Sequence, residues 1–172
     1  NGVMLDRSFR MNGPICDFVS SKYYGGKLIS HNPGRRISIP LNTNDPVYDK
    51  TKPIVVKHID DTGTFISDKE AEYCAGVVDN LINLYHISPD EIGVISPFRA
   101  QGALIRKKLR ERRIPDYDLV MVDTVERMQG QEKEFMIISL TVGRPGYQSE
   151  VIDFIENPNR LNVAFSRAKN KL

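Results

Sequence analysis

The stretch Ile92-Gly93-Val94-Ile95-Ser96-Pro97-Phe98-Arg99-Ala100-Gln101 decides the fold of this chain. Its first four residues form an apolar run without polar alternation, and Ser96-Pro97 ends that run. The segment that follows, from Arg99 to Arg113, has a helical pattern with Ile105 and Leu109 on one side. An uninterrupted apolar run is typical of a strand buried on both faces of a parallel sheet. The stretch therefore predicts a buried strand that leads directly into a helix.

Similar elements lie on both sides of this unit. Short apolar runs at Leu119 to Val122 and at Phe135 to Leu140 predict two more buried strands. Ser67 to Glu70 fits a capping box that opens a helix with an apolar stripe. A last helix is expected from about Asn159 to the end of the chain. Together these elements predict one α/β domain over residues 1–172, a doubly wound, mostly parallel sheet with helices on both faces.

Composition limits the class of protein. The chain has 172 residues, 40% hydrophobic and 27% charged, which fits one globular domain without a membrane span or a secretory signal. Its net charge of +2 neither demands nor excludes a nucleic-acid partner. Cys16 and Cys74 are too few for a disulfide framework or a zinc site, so a cytoplasmic location, or a nuclear one in a eukaryote, is expected. Because it begins at Asn1 without a methionine, the chain is expected to be a fragment.

Polar residues that could bind a ligand follow the predicted strands. Pro97, Arg99 and Gln101 stand where the first strand meets its helix, and backbone amides there suit a phosphate of a nucleic acid. By itself, this segment favours the simpler interpretation of a proline at a helix start and a solvated arginine. The helix from Arg99 to Arg113 carries seven basic residues and one acid, Glu111, which suits either a solvated face or phosphate contact.

The stretch Val122-Asp123-Thr124-Val125-Glu126-Arg127-Met128-Gln129-Gly130-Gln131-Glu132-Lys133-Glu134 is a long polar loop between two predicted strands. Such a loop is a common place for functional residues. Thr124 can offer a hydroxyl to a phosphate, Gly130 allows close backbone approach, and Glu132 can accept a hydrogen bond from a ribose hydroxyl. Taken alone, Gly130 is more typical of a turn than of a ligand site.

Two arginines, Arg10 and Arg167, stand in polar contexts near the two ends of the chain. An arginine held on a rigid helix, as expected for Arg167, can stabilise charge on a transferring phosphoryl group, although an exposed helical arginine is usually just solvated. A phosphate-binding loop of the form G-x-x-x-x-G-K-[ST] is missing, because Gly25-Gly26-Lys27 lacks the first glycine and the final hydroxyl.

Four segments in fixed order carry a resemblance to a known family: Leu5 to Met11, Ile92 to Gln101, Val122 to Glu134 and Arg160 to Lys169. Together they resemble the second RecA-like motor domain of superfamily 1 helicases. The branch most similar to this chain includes the nonsense-mediated-decay RNA helicases and the Okazaki-fragment-processing DNA helicase-nucleases. The resemblance spans nearly the whole chain and implies a RecA-like P-loop NTPase fold without its own phosphate-binding loop.

The resemblance also implies a role for individual residues. Those expected at the nucleotide are Arg10 and Arg167 at the γ-phosphate, Phe9 stacked on the adenine, Gln129 and Gly130 beside the nucleotide, and Glu132 at the ribose. Those expected to grip single-stranded nucleic acid are Pro97, Arg99, Gln101 and Thr124. No protein metal ligand is expected in this chain.

By the same resemblance, ATP with Mg²⁺ would be bound mainly by a first RecA-like domain upstream of Asn1. The implied function is ATP-dependent translocation along single-stranded DNA or RNA, with 5′→3′ polarity and no membrane partner. The chain alone is then expected to be inactive. The alternative is a non-catalytic module that keeps the helicase fold and only binds nucleic acid or a partner protein. The sequence does not distinguish DNA from RNA as the substrate.

Overall fold

Within residues 6–35, 44–61, 65–141 and 157–172, which a computed structural model describes, the strands form two parallel sheets. Strands β1 (Arg7–Ser8) and β2 (Ile29–Ser30) make a small sheet. The main sheet has four strands, which are β3 (Ile92–Ile95), β4 (Met121–Asp123), β5 (Lys133–Ile138) and β6 (Ala168–Lys171). Their spatial order is β4-β3-β5-β6, and every pair is parallel.

The predicted central strand is confirmed as β3, and all four of its residues are buried. Val94 lies level with Val122 on one neighbour and with Ile137 on the other. At Gly93 a Cβ atom would lie 2.8 Å from Cε of Met136, so the absent side chain lets the facing methionine pack against the strand. Burial on both faces explains why the run lacks polar alternation.

Four α-helices cover this sheet in the described residues, and each begins and ends as follows: α1 Gly13–Tyr23, α2 Asp68–Asp79, α3 Arg99–Glu111 and α4 Pro158–Phe165. A π-helical turn over Asn80–Leu84 continues α2. The Ser67 hydroxyl caps α2 by accepting from the Glu70 amide at 3.0 Å. The predicted capping box is only half formed, because the Glu70 carboxylate instead accepts from the Thr141 amide at 3.1 Å.

The hydrophobic core consists of two layers, one on each face of the main sheet. Helices α2 and α3 bury residues such as Val78 and Leu109 against Val94. Helices α1 and α4 bury residues such as Ile15 and Ala164 against the other face. This arrangement confirms the predicted doubly wound α/β class, since neighbouring strand residues point to opposite, equally covered faces.

The expectation of a helix that continues to the end of the chain is wrong. Helix α4 stops at Phe165, a turn follows at Ser166 and Arg167, and β6 begins at Ala168. The Lys133 amide donates to the Arg167 carbonyl at 3.0 Å, which starts the pairing of β6 with β5. Arg167 therefore lies in a turn between a helix and a strand rather than within the helix.

Candidate functional site

The candidate residues separate into two groups at opposite edges of the main sheet. Thr124 and the segment 96–99 follow the carboxyl ends of β4 and β3. Glu132 and Arg167 instead precede the amino ends of β5 and β6, so the expectation that site residues follow the strands is wrong for them. Strand β5 has six residues and spans about 20 Å at the usual rise per residue. The two groups are therefore too far apart to touch one ligand atom together.

Arg10 joins the group at the amino ends of the strands. Its Nε donates to Oε2 of Glu132 at 2.7 Å, and its Nη1 donates to the carbonyl of Ser166 at 2.9 Å. This hydrogen bond from Arg10 is the main reason why the pKa of the Glu132 carboxyl lies below its ordinary value. The structure thus brings together Arg10 and Glu132, two residues 122 positions apart in the chain.

Arg167 lies in the same group and is half-buried. Its Nε donates to the Val163 carbonyl at 3.1 Å, and its Nη1 donates to the Gln131 carbonyl at 3.2 Å. Burial, followed by the positive charge of Arg10, lowers the pKa of Arg167 from its ordinary value. Two guanidinium groups that raise each other's electrostatic energy form a site that an anion would stabilise.

Gly130 and Gln129 border this cationic group from the loop before β5. Gly130 has φ of +80°, in the left-handed region that favours glycine, and its Cα faces open space. Met128, two residues earlier, is fully buried and anchors the loop in the core. Gln129 is exposed. The loop therefore presents an accessible backbone beside Glu132, as close approach of a ligand requires.

Phe9 presents an aromatic ring next to Arg10. The side chain is 64% exposed, and its ring centroid lies 4.4 Å from that of His31 at an interplanar angle of 36°. Covering such a ring with a ligand would be favourable, because its apolar area would leave water. The position suits stacking on a planar base, and His31 supports the ring from below, which the sequence alone did not suggest.

Three of the four residues expected at the nucleic acid lie at the other edge of the sheet, and they differ from one another in solvent exposure. Arg99 is exposed at the start of α3, Pro97 is partly buried, and Thr124 is 9% exposed. The Thr124 amide donates to the Asp123 carboxylate at 2.8 Å, which fixes the turn after β4. Arg99 is the member of this set that a phosphate can approach directly.

Gln101, the fourth, does not lie on the surface as a nucleic-acid contact would. It is fully buried, and its amide group joins α3 to the start of α2 and to the end of β5. Its Oε1 accepts from the Ser67 amide at 2.9 Å, and its Nε2 donates to the Ser67 carbonyl and to Oγ of Ser139, both at 3.2 Å. In this structure Gln101 positions the elements around the candidate surface instead of contacting a ligand.

Part of the basic character of α3 is neutralised by α2. Lys108 lies 2.8 Å from Asp68, and Arg112 lies 3.0 Å from Asp79. The Arg106 side chain donates to the Val122 carbonyl. These contacts occupy several of the seven basic residues, whereas Arg110 and Arg113 are exposed to solvent.

Lys169 and Glu134 are neighbours of the site that sequence reasoning missed. Lys169 Nζ lies 3.4 Å from Oε1 of Glu132 and 3.6 Å from Oε1 of Glu134. Glu132 and Glu134 are two residues apart, so they share one side of an extended chain. This spacing is visible in the sequence, but Lys169 could be placed beside it only by recognising residues 168–171 as a strand.

The chemistry of these donors suits phosphate rather than a metal ion. In the described ranges, no three His, Cys, Asp or Glu side chains are grouped as metal ligands would be. The guanidinium groups of Arg10 and Arg167 are planar, permanently charged donors of the kind that bind phosphate oxygens. None of the helices in the described segments is long and apolar enough to cross a membrane.

A family model described as AAA domain matches residues 1–172. The ATP-dependent helicase NAM7 of Saccharomyces cerevisiae is 29% identical over 97% of this chain, which covers 18% of that protein. The regulator of nonsense transcripts 1 of Dictyostelium discoideum is 30% identical over 96% of the chain, or 13% of that protein. The DNA polymerase alpha-associated DNA helicase A of S. cerevisiae is 30% identical over 98% of the chain, or 26% of that protein.

The chain thus spans about a quarter or less of the length of these three relatives. Two of them are named as helicases, and a further relative is the ATP-dependent helicase upf1 of Schizosaccharomyces pombe. The parallel sheet with helices on both faces fits the RecA-like fold of such proteins. The chain therefore belongs to the AAA domain family and is a superfamily 1 helicase domain of the NAM7 and upf1 type.

Proposed function

We propose that this chain is the second RecA-like motor domain of an ATP-dependent helicase. In this role Arg10 and Arg167 act on the γ-phosphate of ATP that is bound on a first RecA-like domain of the same polypeptide. The observation that carries the proposal is the convergence of both guanidinium groups on one sheet edge, around a single carboxylate. A module that only binds nucleic acid has no use for two arginines held in this way.

Residues at the same sheet edge are suited to bind the base and the sugar of the nucleotide. Phe9 offers an exposed ring for the adenine, and Glu132 offers a carboxylate for a ribose hydroxyl. Gln129 and Gly130 line the approach with accessible backbone and side-chain groups. Mg²⁺ would be held mainly by the first domain, and there it neutralises charge on the phosphates.

The opposite edge supplies the contact with single-stranded nucleic acid. Arg99 and Thr124, with Pro97 beside them, would hold phosphates of one strand. The loop from Thr124 to Glu132 connects the two edges, and its residues Val125 and Met128 are buried in the core under α1 and α4. A shift of this anchored loop on nucleotide binding would therefore move both edges together, which a translocating motor needs.

The arginine roles are tested by ATP turnover of the full-length protein. Arg167→Ala and Arg10→Ala should each lower kcat by about 10³-fold or more, the range known for arginine fingers, while nucleotide binding is largely retained. Arg127→Ala is the matched control, because this exposed arginine contacts only Asp123 at 3.7 Å among its ion pairs in the described residues. Unchanged turnover in Arg167→Ala would refute the assignment and favour the non-catalytic binding module.

Two simple assays complete the test of function. The purified 172-residue chain should hydrolyse no ATP, because it provides only one side of a composite site; measurable ATPase activity would contradict this. Strand displacement by the full-length protein should depend on ATP and proceed 5′→3′. The assay is run on both DNA and RNA substrates with 5′ or 3′ tails. It shows the polarity of unwinding and whether the substrate is DNA or RNA.

A further inference from the structure

Glu132 is held by two cations through two different oxygen atoms. Arg10 Nε lies 2.7 Å from Oε2, and Lys169 Nζ lies 3.4 Å from Oε1. The Lys169 side chain is 15% exposed, against 29% for Arg10 and 43% for Glu132. The more buried of the two cations is therefore the one to which the proposed reaction assigns no role.

The two cations differ in how the backbone places them. Arg10 lies just beyond the end of the short strand β1, and its side chain donates to Glu132 and to the Ser166 carbonyl. Lys169 lies within β6, and its carbonyl accepts from the Asn12 amide at 2.8 Å. When Arg10 moves to a γ-phosphate in the proposed reaction, the backbone of Lys169 keeps its place in β6.

Glu134 holds Lys169 from the other side. Its Oε1 lies 3.6 Å from Lys169 Nζ and 2.6 Å from Nη2 of Arg35, and its Oε2 accepts from the Asn170 side chain. A carboxylate with this many partners has little rotational freedom. The ammonium group of Lys169 thus lies between Glu134, which keeps its other partners, and Glu132, which loses Arg10 in the proposed reaction.

We propose that Lys169 is a positioning residue for sugar recognition: it holds Oε1 of Glu132 so that Oε2, once Arg10 leaves it, accepts a hydrogen bond from a ribose hydroxyl. The proposal rests on the proposed function. Its physical basis is that a glutamate side chain released by Arg10 would otherwise be free to rotate, which costs affinity when a ligand must order it again. Lys169 removes that cost because it orients the carboxylate beforehand.

The test compares ATP, 2′-deoxy-ATP and 3′-deoxy-ATP as substrates of the full-length protein in the presence of single-stranded nucleic acid. The wild type should prefer ATP to at least one deoxy analogue. Lys169→Met should raise KM for ATP about three- to tenfold, toward the KM of that analogue, with kcat within about twofold. Glu132 keeps its carboxylate in this variant and loses only its orientation, so part of a hydrogen bond to a charged group is lost. Lys169→Arg should restore the preference.

Lys107→Met is the matched control, since Lys107 is an exposed lysine that pairs only with Glu111, at 3.7 Å, among its ion pairs in the described residues. It should leave all three KM values unchanged. Glu134→Gln is a second variant in case Lys169→Met fails to fold, and it should reduce the preference for ATP partially, because it loosens Lys169 without removing it. Thermal melting of each variant shows whether it is folded.

Three results would overturn the proposal. The first is an unchanged preference for ATP in Lys169→Met. The second is an equal loss of activity with all three nucleotides, which indicates a purely structural lysine. The third is a wild type that does not discriminate between the sugars. If Arg167→Ala abolishes turnover while Lys169→Met keeps the preference, only this inference fails; if Arg167→Ala is fully active, the proposed function fails first.

Discussion

Replacement of Gln101 separates a structural role from a nucleic-acid contact. Gln101→Leu keeps a similar side-chain volume, so the change removes hydrogen bonds without opening a large cavity. Three bonds are lost, to the Ser67 amide, the Ser67 carbonyl and Oγ of Ser139, and all three partners are buried. At about 1 kcal/mol for each bond, the free energy of unfolding should fall by about 3 kcal/mol.

Urea denaturation of the 172-residue chain, followed by circular dichroism, measures this loss directly. In a thermal melt, 3 kcal/mol corresponds to a decrease in Tm of about 6–12 °C for a domain of this size. Binding of a fluorescent single-stranded oligonucleotide by the full-length protein, measured well below the melting range, should stay within about twofold of wild type. The reason is that the buried amide contacts residues at the start of α2 and after the end of β5, not the exposed surface that would bind the oligonucleotide.

Arg99→Ala is the matched control with the opposite expectation. Arg99 is exposed at the start of α3, so its removal should change stability by less than about 0.5 kcal/mol and weaken oligonucleotide binding. If Gln101→Leu instead weakens binding while its stability matches the wild type, Gln101 contacts the nucleic acid directly. That outcome would refute the assignment of Gln101 as an internal link between helices.

Two further predictions concern buried ionisable groups. Burial lowers the pKa of Lys171 from 10.5 to about 8, although its ammonium group donates to three backbone carbonyls. Between those pH values the unfolded chain holds a proton that the folded chain has lost. The free energy of unfolding of the wild type, relative to Lys171→Met, should therefore rise as the pH increases from 8 to 10.5, by at most about 3 kcal/mol. A difference that stays constant across a pH series of urea melts would contradict this. Cys16 and Cys74 are buried, and burial raises the pKa of the Cys74 thiol to about 12. At pH 8 neither thiol should react with a disulfide reagent until urea unfolds the chain, and rapid reaction of the native protein would show that the core opens there.

The β3–α3 unit could be predicted because its pattern is local. Four apolar residues followed by Ser96-Pro97 leave a buried strand and a helix start as the natural solution, and the structure has both. The same logic failed for residues 168–171, which contain no β-branched or aromatic side chain. These residues form β6 because β5 offers unpaired backbone groups beside them, and pairing overrides their weak intrinsic preference for a strand.

The candidate site was predicted residue by residue, but its arrangement was not. The motif at Val122 to Glu134 indicated Glu132 as a polar site residue, and the structure shows that its partners are Arg10 and Lys169. The role expected of Gln101 changed for a similar reason. Its sequence context shows a polar residue at a helix start, whereas only the packed structure shows that Ser67 and Ser139 surround its amide group.

The sequence by itself determined the α/β class, the order of the motifs and the family, since each depends on short patterns or on their succession along the chain. Tertiary structure alone decided that the predicted residues lie at two opposite edges of the sheet, joined by the loop that leads from Thr124 to Glu132. The physical reason is distance along the chain. Arg10 and Glu132 are 122 residues apart, so the fold must bring distant parts of the chain together before their hydrogen bond can form.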